Sequence, residues 1–324
     1  MQPTGPILPL RAWTSARWGI TLPPTHRFPI EKYALIRDAV IRRGILPPDA
    51  VLEPDRVEPW ALRLVHTQRF IDSVMNGTMT PDETRRLGFP WGEDLRERSL
   101  RTVQGTLEAS RDALDRGAGI TLAGGTHHAF ADHGEGFCVF NDVAIAIRVL
   151  QREGRIVRAL IIDLDVHQGN GTANLFSLDE DIFTFSMHGA KNYPFHKERS
   201  TLDIELEDGC SDSTYLALLE QQLGPAFDGA RPDIVFYLAG SDPYVHDRFG
   251  RLGLTLDGLR TRDQVVVEGC RRRGHPLVLT MAGGYARDLA DIAFIHSESV
   301  RVVVDTFGPS VGPHPGSLRR TELL

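Results

Sequence analysis

IIDLDVHQGNG, residues 161–171, follows directly on the apolar run RIVRAL and decides how the chain is read. A short segment rich in Val, Ile and Leu predicts a buried strand. Its end then carries two carboxylates, an imidazole, an amide and two glycines. Buried charge at a strand end is costly unless something there needs it, and a metal ion is the simplest need. At the two-residue period of an extended chain, Asp163, Asp165 and His167 face one side. That end can offer a carboxylate and an imidazole to one ion while the other carboxylate supports the site.

Outward from this stretch the same arrangement recurs. Ile120–Ala123 ends in GGTHHAF, Ala159–Ile162 in DLDVHQGN, Ile234–Ala239 in GSDPYVHD, and Leu277–Met281 in AGGYARD. A further strand is expected at Ile182–Ser186, ending in MHG. Helical spacing appears at Glu31–Arg43, Glu93–Arg116, Asp142–Arg152, Ser213–Gln222 and Asp257–Arg272. Strands alternating with helices predict an α/β fold with a mostly parallel sheet. Ligands of such sheets bind beyond the carboxyl ends of the strands, where every polar, Gly-rich cluster of this chain falls. Nearer the start, a first strand is expected near Ala16–Ile20, a helix or strand with a turn over Glu58–Ile71, and a loop over Asn76–Trp91. No repeat or linker divides the 324 residues, so a single domain, 1–324, is expected.

Composition narrows the class. Hydrophobic residues make up 41% and charged residues 24%, values of a soluble globular protein. No apolar run approaches the ~20 residues of a membrane helix, and the N-terminus lacks the pattern of a signal peptide. Three scattered cysteines do not form a disulfide framework, so a cytoplasmic location is expected. The net charge of −7 argues against wrapping nucleic acid.

Asp242, after the strand DIVFYLAG, is the natural third ligand beside Asp165 and His167. One imidazole and two carboxylates with an open position suit a catalytic zinc; iron(II) or another divalent ion also fits. His127 and His128 lie at a strand end and can serve as ligands or as acid and base; Asp163 and Asn170 are available to fix their tautomers. Tyr285, behind two glycines, can donate its phenol to an oxyanion. Phe137 can line an apolar slot.

GGTHHA, GFCVFND, DLDVHQGNG, LAGSDPYVHDRFGRLGLT and MAGGYA occur in this order. Together they resemble the histone deacetylase superfamily with the arginase–deacetylase fold, over a span from about His26 to the final helix. HQGNG and PTHRFPIEKY resemble class IV members, since classes I and II typically carry Asp where this chain has Asn170. The resemblance implies one domain around an eight-stranded parallel sheet flanked by helices, with zinc held by Asp165, His167 and Asp242. His128 is implied as general base and then acid, and His127 as electrostatic support. Asp163 would orient His127 and Asn170 would partner His128, while Tyr285 would polarise the substrate carbonyl. Phe137 and the Gly136 carbonyl would line the acyl-lysine channel. A potassium or sodium ion is implied at Asp163, Ser186 and the main-chain carbonyls of Asp165, His167 and Met187.

The activity expected is zinc-dependent hydrolysis of N-acyl-lysine amides. Alternatives keep the reaction and change the substrate, to acetylpolyamines, other small amides or long-chain acyl-lysine. Glu135, Asp132 and Asp247 are the acids that could receive a polyamine's distal amines. A catalytically silent reader of acylated tails is disfavoured by retention of every catalytic residue type. An arginase-like binuclear manganese site is disfavoured because no carboxylate-rich second metal position is visible.

Overall fold

The computed structural model of the chain describes residues 8–308, and its eight strands form one sheet. They are β1 (Ala12–Trp13), β2 (Val51–Leu52), β3 (Ala118–Thr121), β4 (Ala159–Asp163), β5 (Ile182–Gly189), β6 (Leu202–Leu206), β7 (Ile234–Leu238) and β8 (Leu277–Thr280). The order across the sheet is β2-β1-β3-β8-β7-β4-β5-β6, and every pair is parallel. The ten α-helices of the described residues are α1 (Lys32–Arg42), α2 (Pro59–Leu62), α3 (Gln68–Asn76), α4 (Pro81–Leu87), α5 (Glu93–Arg116), α6 (Asp142–Arg152), α7 (Asn170–Leu175), α8 (Asp212–Ala230), α9 (Leu256–Arg273) and α10 (Leu289–Phe307).

Alternation along the central strands explains the layering. Leu160 and Ile162 of β4, with Val235 and Tyr237 of β7, join the apolar faces of α1, α8, α9 and α10. Ala159 and Ile161, with Ile234 and Phe236, join those of α5 and α6 instead. Side chains pointing to opposite faces are therefore buried on both sides, and such strands read as continuous apolar runs. β3 and β4 are successive in the chain, yet β8 and β7 lie between them. That insertion draws the carboxyl ends of four strands together.

The strands that bear the motifs match expectation within two residues, and the termini differ more. The first strand is Ala12–Trp13, not Ala16–Ile20, because Ala12 and Trp13 are in register with Ile120 and Thr121 of β3. Trp18 N–H then donates to the Ser15 carbonyl at 3.0 Å and turns the chain. Glu58–Ile71 holds two short helices, α2 and the start of α3, and no strand. Within the expected loop 76–91 lies α4, started by a capping box in which Thr80 and Glu83 satisfy each other's backbone N–H. Expected α8 ended at Gln222; the helix continues through Pro225 to bury Ala226, Phe227 and Ala230. The single-domain expectation, 1–324, extends beyond the described residues at both ends.

Candidate active site

Asp163 ends β4, and Asp165 and His167 follow it; Asp242 lies just beyond β7, His127 and His128 beyond β3, and Tyr285 beyond β8. Ligand atoms of Asp165, His167 and Asp242 lie within 4.8 Å of one another, and all three residues are buried. They do not arrive there by extended alternation. β4 ends at Asp163, whose Oδ1 accepts from Asp165 N–H at 3.2 Å; Asp165 Oδ1 in turn accepts from His167 N–H at 2.9 Å. Two carboxylate-to-backbone turns replace the strand, a local bonding pattern that Asp favours.

The donor set fits a divalent cation. His167 Nδ1 lies 2.9 Å from Asp165 Oδ1 and 3.3 Å from Asp242 Oδ2. Asp165 Oδ2 accepts from Gly283 N–H at 2.6 Å and Asp242 Oδ1 from Val166 N–H at 2.9 Å. Asp242 Oδ2 is buried and accepts no hydrogen bond. Burial, and then the charge of Asp165, push the Asp242 carboxyl up to about 7. An unpartnered buried oxygen of this kind is what a cation relieves. A Cβ at Gly283 would collide with both carboxylates, so the backbone at that position must be bare for them to approach it. Among the described residues this is the one such group of three or more ligand-type side chains.

The loop carrying His127 and His128 is held from beneath. Asp142 Oδ2 accepts from Gly125 N–H at 3.0 Å, and its Oδ1 accepts from Thr126 N–H at 2.8 Å and Thr126 Oγ1 at 2.5 Å. The neighbouring Asn141 caps α6 and donates to Thr172 Oγ1 at 3.0 Å. Thr172 N–H reaches the His127 carbonyl at 3.0 Å, which seats α7 against the loop. Gly171 permits that seating, since its Cβ would fall 2.6 Å from the His128 carbonyl carbon.

His127 Nδ1 donates to Asp163 Oδ2 at 2.6 Å. Burial opposes its charge, but Asp163 and Asp165 outweigh burial and hold the imidazole at about 9. His128 Nδ1 meets Asn170 Oδ1 at 2.7 Å. Burial, and then the neighbouring imidazoles of His127 and His167, hold it well below the usual range. The Tyr285 phenol is kept protonated by burial, with Asp242 and Asp165 adding to the effect.

His127, His128, Asp165, His167 and Tyr285 line a cavity of about 510 Å³ whose walls also include Phe137, Tyr193 and Phe249. Phe137 sits at φ 66°, and its ring packs 5.3 Å from Phe28 and 5.2 Å from Phe89. A non-glycine residue in that conformation marks a position the surroundings hold against its preference. Gly136 lines the same wall, its carbonyl facing the Cys138 thiol at 3.6 Å. The exposed charged residues lining the cavity, Arg27, Lys191, Arg248 and Arg251, are all basic. Asp163 and Ser186, expected at a monovalent-cation site, are direct partners across the β4–β5 ladder, and Met187 follows in β5.

Sequence reasoning missed several residues. Asp142 lay inside a quoted motif without a role. Tyr193, whose ring stands 5.1 Å from that of His128, lies in NYPF, outside the strand-end pattern. Lys32 is buried, donates to the Gly284 carbonyl at 3.2 Å and stands 5.0 Å over the Tyr285 ring. None of the three acids considered as amine receivers lines the cavity, and each already has hydrogen-bond partners. Asp132 bonds His133 at 2.6 Å, Asp247 accepts from the N–H groups of Phe249, Gly250 and Tyr285, and Glu135 accepts from Asn170 and Tyr193.

With this geometry in place, residues 26–299 match the family model described as the histone deacetylase domain. The chain belongs to the histone deacetylase family. It is 30% identical over 276 residues to histone deacetylase 2 of Arabidopsis thaliana, covering 82% of this chain and 71% of that one. An uncharacterized protein of Picosynechococcus sp. is 41% identical over 286 residues, covering 88% and 95%. The crystal structure of an HDAC homolog from Aquifex aeolicus superposes with a TM-score of 0.78 at 21% identity, over 94% of this chain and 86% of that one. The eight-stranded parallel sheet is thus the fold of histone deacetylase homologues, and the family is one of deacetylating hydrolases. Among the described residues no helix is long and apolar enough to cross a membrane.

Proposed function

We propose that this chain is a class IV-like deacylase that hydrolyses the N-acyl amide of modified lysine side chains, with zinc held by Asp165, His167 and Asp242. The observation that carries the reading is that Asp165 and His167 of that buried ligand set line one cavity together with His128 and Tyr285, with Asp242 directly behind them. Bound zinc would supply Lewis acidity toward a water and an amide carbonyl.

The chain's own groups do the rest. His128, kept neutral, takes the water's proton at Nε2, since Nδ1 is engaged by Asn170. It returns that proton to the departing lysine amine. Tyr285 retains its proton and donates a hydrogen bond to the developing oxyanion. His127, charged and held by Asp163, contributes fixed positive charge beside it. Phe137 and Tyr193 enclose the lysine's methylene stem. Asp163 and Ser186, with the carbonyls of Asp165, His167 and Met187, are proposed to hold a potassium or sodium ion behind the site.

The basic cavity lining and the engaged state of Glu135, Asp132 and Asp247 disfavour a polycationic amine. Asp165 is the only carboxylate lining the cavity among the described residues, and it belongs to the ligand set. Three free cysteines support a reducing, cytoplasmic setting for the one catalytic domain. A turnover screen of acetyl-, butyryl- and myristoyl-lysine peptides against acetylspermidine on zinc-reconstituted protein tests the proposal. Turnover of acetylspermidine alone would overturn the lysine assignment.

A further inference from the structure

Asn170 has two chemically different ends, and His128 could bond either one. A neutral imidazole can donate Nδ1–H to an amide oxygen or accept at Nδ1 from an amide NH₂. Nothing at the His128 end decides between them. The decision is made at the other end of the amide. Asn170 Nδ2 lies 2.7 Å from Glu135 Oε1. A carboxylate only accepts, so the NH₂ must face Glu135 and the oxygen must face His128.

Glu135 is itself pinned. Tyr193 donates its phenol to the same Oε1 at 2.7 Å, and His133 Nε2 stands 3.7 Å from Oε2. The Glu135 carbonyl accepts from Cys138 N–H at 2.9 Å, which closes the turn beneath Phe137. Burial alone would raise this carboxyl, yet the nearby His133 and the bonds from Tyr193 and Asn170 bring it down to about 2, so it is an anion throughout the working range.

We infer that Glu135 is a positioning residue that orients the Asn170 amide and thereby selects the His128 tautomer protonated at Nδ1, leaving Nε2 free to act as base. This deepens the hydrolase reading and rests on it. A carboxylate directly beside the histidine would accept whichever way it turned. A neutral amide in that place needs a second anchor, and Glu135 is that anchor. Tyr193, bonded to Glu135 and standing over the His128 ring, ties the same anchor to the cavity wall.

The test compares Glu135→Ala with Glu135→Gln in zinc-loaded enzyme. Without the acceptor the amide can turn over and donate to His128 Nδ1, which favours the unproductive tautomer. Glu135→Ala is expected to lower kcat by about 10–100-fold, the range for removing outer support of an active-site imidazole, with KM and zinc content unchanged. Glu135→Gln, whose amide oxygen can still accept from both Asn170 and Tyr193, is expected to keep kcat within about threefold. ¹⁵N NMR of the labelled imidazoles should show His128 protonated at Nδ1 in wild type and Glu135→Gln, and a mixture or Nε2–H in Glu135→Ala.

An unchanged tautomer in Glu135→Ala overturns the inference whatever the activity does, and so does an equal loss in both variants. If Glu135→Ala does not fold, Asn170→Asp decides. It sets two carboxylates against each other and lowers activity, so adding Glu135→Gln must raise it again; failure to do so overturns the inference. The NMR signature does not depend on which amide is cleaved. Should wild type turn over no acyl-lysine peptide, the functional reading fails while the tautomer question is still answered.

Discussion

The rings of His127 and His128 lie 4.1 Å apart, centroid to centroid, and their surroundings drive them to opposite protonation states. Both are fully enclosed, so burial acts against charge on each. His127 overcomes it because Asp163 and Asp165 are close, and it rests at about 9. His128 has a neutral amide as partner and other imidazoles as neighbours, and it is driven down. Separated basicities in an adjacent pair accord with the proposed roles, in which His128 is neutral and receives a proton while His127 stays charged.

Zinc should bind at one equivalent per chain, and Asp242→Ala should remove both the metal and turnover. Elemental analysis after reconstitution measures the first and a peptide assay the second. Full activity in metal-free protein contradicts the mechanism.

Tyr285→Phe should leave zinc content intact and lower kcat by about 10²–10³-fold, the effect of one lost oxyanion donor. Turnover within a factor of about two of wild type, against that expectation, would make Tyr285 a packing residue.

Asn170→Asp places an anion on His128. Opposite charge favours imidazolium, raising the pKa of the base, so the acidic limb of kcat/KM moves to higher pH. Glu135 already lies 2.7 Å from Asn170, and in its presence the two carboxylates share one proton, which reduces the charge beside His128. The shift should therefore be larger when Asn170→Asp is made in a Glu135→Gln background. An acid-directed shift there would show that His128 is not the base.

His66 offers a pH test of stability away from the metal. It is buried, its Nδ1 donates to the Phe130 carbonyl at 2.9 Å and its Nε2 accepts from Asn141 N–H at 3.0 Å. Burial holds it at about 4, below the ordinary histidine value of 6.5. A depressed pKa means stability that is complete above about 6.5 and lost as pH falls toward 4. At about 1.4 kcal/mol per tenfold, roughly 3 kcal/mol is at stake. Urea unfolding from pH 7 to 4 should show this slope in wild type and a flatter one in His66→Gln. Parallel slopes would refute it.

The strand ends were legible because central parallel strands have no polar face, so the change from apolar run to charged cluster is abrupt. Asp165, His167, Asp242, His127, His128 and Tyr285 all sit at such changes, and the structure brings them together. What failed was governed by tertiary register or by short elements. β1 and β2 contain two residues each, too few to show a period. The TPDE start of α4 was a readable cap overlooked among Gly and Pro. Glu135 reaches Asn170 across 35 positions of sequence, and no local pattern reports such a contact.

The order of the sheet also sets a timetable for the growing chain. β3 and β4 leave the ribosome early, but β7 and β8, which must slot between them, are made near the end. Until then one half-sheet, β2-β1-β3, and the other, β4-β5-β6, have no direct ladder to each other. Asp242 and Tyr285 arrive with the strands that join them. Long-range pairing of this kind is slow and leaves strand edges uncovered meanwhile. The cavity is consequently the last feature the nascent polypeptide completes: a prematurely terminated product lacks the middle of its sheet together with Asp242 and Tyr285.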